Sequence, residues 1–351
     1  MNKDILAYLE KLLNAPSPSG YEEPARKLWR AAMAPLAERV HGDTHGNSIA
    51  VLNSKGAPRV MLAGHIDEIG FQVCYINDDG YIAFKPIGGF DEGIVPGRRV
   101  VIHTAGGPVH GVIGKKAVHL MKEDDRKKPS RISDLWIDIG VSSGKKAKKL
   151  VEIADPITYA DTFLHLRGGR YVARGVDDRG GAFAVGEVLR YLQGRRLRAA
   201  VYSVATVQEE IGLRGAVTST YGIAPDVGIA VDVTFAQGPE NDKKNIGEIA
   251  LGKGPVVSRG PNFNPKLFDL IVSVAKQRKI PVQIEAAPRG TGTDANAIQL
   301  SRAGVAAALV SIPLRYMHTT VEMFDMDDVA NVVKLIGETI LALDGKADFV
   351  L

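Results

Sequence analysis

Four apolar, β-branched segments punctuate the chain, and each runs into a histidine or a carboxylate. "PRVMLAGHIDEIG" (58–70) reads as a strand ending at His65, with Asp67 just beyond. "AAVYSVATV" (199–207) leads into Glu209 and Glu210, "DVGIAVDVT" (226–234) carries Asp232, and "AAALVSIPLRYMHTTVE" (306–322) delivers His318. Helical patterns lie between and after them. In "GVDDRGGAFAVGEVLRYLQ" (175–193), Val185, Val188, Leu189 and Leu192 share one face. Near the C-terminus, Val329, Val332, Val333, Ile336 and Ile340 do the same. Continuous apolar strands alternating with amphipathic helices predict an α/β fold, a mostly parallel sheet with helices on both faces.

The stretch from about Ile69 to Leu166 has a different grain. "INDDGYIAF" sets Asp79-Gly80 between β-rich flanks, "VVIHTAGGPVHGVIG" sets Gly106-Gly107 likewise, and long helical periodicity is lacking. This predicts a small β-barrel-like domain at 69–166, inserted into an α/β domain made of 1–68 and 167–351.

With 351 residues, 45% of them hydrophobic, the chain can bury a sizeable core as one large or two smaller domains. A net charge of +4 does not argue for nucleic acid, and the basic run "DDRKKPSR" (124–131) reads as a solvated loop without interleaved aromatics. No apolar run approaches the ~18 residues of a membrane span. The N-terminal pattern of Ile5, Leu6, Leu9, Leu12 and Leu13 is helical rather than that of a signal peptide. A single cysteine, Cys74, excludes an internal disulfide and fits a cytoplasmic location.

In open α/β sheets, sites collect at the carboxyl edge of the strands. His65, Asp67, Glu209, Glu210, Asp232 and His318 fall there, and Asp177 joins them at the mouth of a helix. Singly, each has an ordinary reading. A strand-end histidine is more often structural, Asp177-Asp178 could cap a helix, and Glu209-Glu210 could be a wet turn. Asp232 resists this, because an unpaired carboxylate in an apolar strand is expensive. Together they point to a metal centre whose nitrogen and oxygen donors suit zinc, cobalt or manganese in hydrolysis. A carboxylate between two ions can bridge them.

"GHIDEIG", "GVDDRGG", "VQEEIGLRGA", "AVDVT", "GTDANA" and "RYMHTTVE", in this order, make the chain resemble the tetrahedral aminopeptidases. These co-catalytic metallopeptidases include glutamyl, leucyl and lysyl aminopeptidases, and some relatives carry an endoglucanase label. The resemblance runs from "PSPSGYEEPAR" to the last helix. It implies a zinc-peptidase-like fold and two divalent metal ions per chain, zinc or cobalt first and manganese as an option. His65 and Asp232 would bind one ion, Glu210 and His318 the other, and Asp177 would bridge them. Asp67 would orient His65, and Glu209 would be the general base acting on a metal-activated water. The substrates would be short peptides, cut at the N-terminal residue. The β insertion would dimerise, and dimers would build a hollow tetrahedral dodecamer.

Another metal-dependent amide hydrolase of the same architecture, a carboxypeptidase or deacylase, is the alternative. A glycosidase would need no histidine ligands. A non-catalytic metal-binding assembly protein would have no use for Glu209. "TFAQGPENDKKN" (234–245) departs from the "TPG"-like stretch of many relatives, which bears on side-chain preference. Arg289 could favour acidic side chains but reads as a solvent-facing loop residue.

Overall fold

The computed structural model describes residues 3–239, 243–343 and 348–351. Its framework is an eight-stranded sheet. From one edge to the other the strands are Arg39–Gly42, Ser48–Leu52, Ala200–Thr206, Arg59–His65, Val227–Phe235, Ala306–Leu314, Val256–Arg259 and Gln283–Ala286. The four from Ala200–Thr206 to Ala306–Leu314 are mutually parallel. Antiparallel pairings flank them, so the parallel core is the part that aligns strand ends at one edge.

Burial explains why these strands read as unbroken apolar runs. Val60 and Leu62 face one layer, where the helices Lys3–Asn14, Val176–Leu192 and Met326–Ala342 pack. Met61 and Ala63 face the other, against Arg214–Ile223 and Asp294–Gln299. Side chains alternate across a strand, so a strand covered on both sides needs apolar residues at successive positions. Next to His65 the layers come unusually close. A Cβ at Gly64 would lie 2.5 Å from the backbone carbon of Gly181 on the covering helix, so only glycine allows this approach.

Between residues 70 and 159 the chain forms a closed six-stranded barrel. Around it run Gly70–Ile76, Ile82–Ile87, Trp136–Asp138, Gly107–Gly114, Arg99–Thr104 and Pro156–Tyr159. Closure leaves no open strand edge. The barrel has its own core, which includes Phe71, Val100, Ile113, Ile137 and Ile157. Asp79-Gly80 lies in the turn between the first two strands, and Gly106-Gly107 in the turn between Arg99–Thr104 and Gly107–Gly114. The basic run read as a loop begins inside a one-turn helix, Glu123–Arg126, and is otherwise irregular.

The barrel joins the sheet at two crossings, and one buried ionic cluster ties them. Glu68, on the way out, pairs with Arg174, on the way back, and with Arg179 of the helix, whose Nη1 is 2.6 Å from Glu68 Oε1. All three side chains are buried, and the attraction of two guanidinium groups holds the Glu68 carboxyl below its usual range despite burial. Among the described residues no helix is long and apolar enough to cross a membrane.

Candidate metal centre

The parallel core lines up its carboxyl ends. His65 is the last residue of Arg59–His65, and Thr206 is its register partner on the neighbouring strand. Beyond Thr206 the chain turns through Gln208, at φ 56°, into Glu209 and Glu210. Asp232 sits within Val227–Phe235, opposite Ser311. His318 lies past Ala306–Leu314, and Asp177 opens Val176–Leu192. All seven residues singled out from the sequence therefore meet at one edge.

Asp177 is central. Its Oδ1 is 3.2 Å from His65 Nε2, and its Oδ2 is 3.2 Å from His318 Nε2. His65 Nε2 is 3.7 Å from Glu209 Oε2, and His318 Nε2 is 3.5 Å from Glu210 Oε1. Two sets of potential ligand atoms lie within 4.8 Å of one another: His65, Asp177 and Glu210, and His65, Asp178 and Asp232. Glu209 and His318 belong to neither.

Behind this layer stand residues that the sequence reading did not assign. Glu322 accepts the backbone N–H of Asp177 through Oε2 (3.2 Å) and that of His318 through Oε1 (2.8 Å). Asp178 accepts from the N–H of His65 (3.0 Å) and of Gly181 (3.0 Å), so it is both the helix cap read from sequence and a brace for the histidine. Asp67 does more than lie 3.4 Å from His65 Nδ1. It also accepts the N–H groups of Glu209 (3.1 Å) and Glu210 (3.2 Å) and the hydroxyl of Ser19 (2.7 Å). Glu22 holds the N–H of Gln208 at 3.2 Å.

The electrostatics test whether the residues present suit cations. Asp177, Asp178, Glu209, Glu210, Asp232 and Glu322 crowd together, and among the described residues no lysine or arginine forms an ion pair with any of them. Burial, reinforced by neighbouring carboxylates, pushes Glu209 up to about 10 and Glu210 up to about 8. It carries Asp232 and Glu322 well above the usual range, with Asp177 as the main neighbouring charge. Asp177 goes the other way, because hydrogen bonds to His318 and His65 outweigh its desolvation. His318 rises to about 9 through its contact with Asp177. Glu210 Oε1 is buried without a hydrogen-bond partner. A buried surplus of negative charge with unsatisfied oxygen and two imidazoles is stable only when protonated or when cations fill it, so the donors fit divalent metals. The cluster opens into a cavity of about 410 Å³ bounded by the loop 286–293. Arg289 is exposed, as a loop residue should be, yet it lines this cavity.

An α/β sheet of this topology with an acid-and-histidine centre at its carboxyl edge is the architecture of a metal-type hydrolase. The family model for M42 glutamyl aminopeptidases matches residues 46–335. Lysyl aminopeptidase of Pyrococcus furiosus is 41% identical over 330 residues, covering 93% of this chain and 94% of its own. Among solved structures, a TET aminopeptidase from a marine sediment archaeon of the Thaumarchaeota superposes with a TM-score of 0.93 at 35% identity, covering 97% of each chain. The Pyrococcus horikoshii TET1 peptidase, described as assembling into a tetrahedron or a large octahedral shell, superposes with a TM-score of 0.86 at 33% identity, over 97% of this chain and 100% of its own. The chain belongs to the M42 family of aminopeptidases, hydrolases of peptide bonds.

Proposed function

We propose that the protein is a dinuclear metal-dependent aminopeptidase that removes N-terminal residues from short peptides. The observation that carries this reading is Asp177 set between His65 and His318, one oxygen 3.2 Å from each imidazole. A carboxylate with two separate partners would suit a ligand shared by two ions. His65, Asp177 and Asp232 would hold one ion, and Asp177, Glu210 and His318 the other; the tightest groupings differ, setting Glu210 with His65 and Asp177, and Asp232 with His65 and Asp178. Zinc or cobalt suits these donors, with manganese as an option. When bound, the ions supply Lewis-acid polarisation of the scissile carbonyl and of water.

The remaining work falls to the chain. Glu209 lies outside both ligand sets but points to the same place, 3.7 Å from His65 Nε2. It is the general base that accepts a proton from water and returns it to the leaving amine. Asp67 is the positioning residue, because one carboxylate gathers the N–H groups of both glutamates and faces His65. Glu322 fixes the backbone of Asp177 and His318 together. The surplus of carboxylate suits a free α-ammonium group, which acetylation would neutralise.

In buffer with zinc, cobalt or manganese, a free amino-acid nitroanilide should be cleaved, its N-acetyl form should not, and chelator should abolish turnover. Equal release of nitroaniline from the acetylated form would show that no free amine is needed and overturn the exopeptidase assignment, and removal of the acetyl group instead would point to a deacylase.

We also infer that the insertion at 69–166, which contains the barrel, mediates dimerisation and that dimers build a tetrahedral dodecamer working in the cytoplasm. The shells described for the Pyrococcus horikoshii relative support this. So do large apolar side chains exposed on the insertion, with Tyr75 at 60% and Leu120 at 70% exposure. The mass in solution with metal present should approach twelve times the 37.6 kDa of one chain. Chelator should favour dimers, since binding and assembly are linked. A monomer at every concentration and metal condition would contradict the inference.

A further inference from the structure

The cavity that opens from the metal centre has a second charged feature, well away from the metal-ligand sets. Glu285 lies on the edge strand Gln283–Ala286 and lines the same cavity as His65, Asp177, Glu209 and Glu210. Its two oxygens are separately held: Thr234 Oγ1 donates to Oε1 at 2.7 Å, and Ser258 Oγ donates to Oε2 at 2.9 Å. Thr234 is two residues beyond Asp232 on the same face of its strand, which places it about 7 Å along the cavity from that carboxylate. Among the described residues Glu285 forms no ion pair. A partly buried carboxylate, oriented by two hydroxyl groups and left without a cation, retains lone pairs for a further donor.

The walls suit a long side chain with a charged tip. Leu309, Met317 and Phe235 line the same cavity as Glu285. Ser311, also in the lining, has a buried hydroxyl oxygen without a hydrogen-bond partner. An alkyl stem would lie on the apolar residues while its charged head meets the carboxylate.

We propose that Glu285 is the specificity-determining residue of this cavity and selects peptides whose N-terminal side chain is cationic, lysine or arginine. The proposal rests on the aminopeptidase reading above. The carboxylate is already oriented, so binding a cation costs little reorganisation. The same charge rejects glutamate and aspartate by repulsion. Arg289 carries the opposite sign in the same lining, but it is exposed on a loop, where its field is screened.

The test compares lysyl and norleucyl nitroanilides, which share a stem and differ in the charged tip, on the metal-loaded enzyme. A hydrogen bond to a charged group predicts a lysyl preference in kcat/KM of about 10- to 100-fold. Glu285→Gln keeps the size, its amide oxygen accepts from one hydroxyl and its NH2 group can donate to the other after that hydroxyl rotates, so it should bring that ratio towards one while the norleucyl rate stays within about threefold. Arg289→Ala should leave the preference in place. Calorimetric binding of lysine amide against norleucine amide gives a second readout, with the same loss of preference in Glu285→Gln. Equal wild-type rates for the two substrates, or a lysyl preference that survives Glu285→Gln, would overturn the assignment. If no free-amine nitroanilide is cleaved, the aminopeptidase reading fails instead, and the calorimetric comparison alone decides whether Glu285 selects a cation.

Discussion

Glu209→Gln should lower kcat by about 10²–10⁴-fold, the usual worth of a placed proton-transfer group, while metal content and assembly stay near normal. The reason is geometric. Glu209 stands 3.7 Å from His65 Nε2 yet belongs to neither set of potential ligand atoms, whereas its neighbour Glu210 belongs to one of them. Both backbone N–H groups are held by Asp67, so the amide replacement has a fixed backbone to sit on. Glu210→Gln should behave oppositely, with weakened occupancy of one ion and partial rescue of activity by excess metal. Metal analysis beside steady-state kinetics on the two variants decides the matter. Metal lost from Glu209→Gln and kept by Glu210→Gln would mean the two roles are reversed. Undiminished hydrolysis in both would reduce the pair to a wet acidic turn.

Asp177→Ala should have the larger effect on metal content, because both ions would lose a ligand at once. Each oxygen of Asp177 faces a different histidine, and no other carboxylate is placed that way among the described residues. Neither ion should remain tightly held, and peptide hydrolysis should fall to background. With the shared ligand missing from both positions, excess metal should rescue it poorly. Two tightly bound ions per chain in purified Asp177→Ala would rule out the bridge. Circular dichroism would separate this result from simple unfolding.

The central strands were legible because they are buried on both faces, and a carboxylate in such a strand is costly away from a site. That is why Asp232, inside an otherwise apolar run, carried more information than Glu209 or Glu210. The glutamates mean little until the register of Thr206 with His65 places their turn over the sheet edge. The barrel was legible only as hairpins. Its closure depends on Gly70–Ile76 pairing with Pro156–Tyr159, strands that no local turn connects.

The supporting residues stayed hidden for a similar reason. Glu322 reaches the backbone of Asp177 across 145 positions, and Ser19 reaches Asp67 across 48. In the sequence such residues look like ordinary polar groups, and only the fold shows that they are buried. Arg289 had two readings in the sequence, an exposed loop residue or one bearing on side-chain preference, and in the fold it is exposed and also lines the cavity. The stretch 234–245 begins on a described strand end, where Thr234 reaches Glu285, but residues 240–242 of it lie outside the described residues.

Glu68 and Arg174 stand 106 positions apart, and their pairing closes the whole insertion into a loop at its neck. A chain with one cysteine has no disulfide to do this, so charge takes the place of a covalent clasp. The clasp sits one residue from Asp67 and three from Asp177. Through Arg179 it also grips the helix that Asp177 opens. A load on the barrel would therefore reach the backbone next to Asp67 and Asp177, two carboxylates of the proposed metal centre. If the barrel carries a subunit contact, a change there would have a short route, through one buried ionic cluster, to the backbone beside the proposed metal centre.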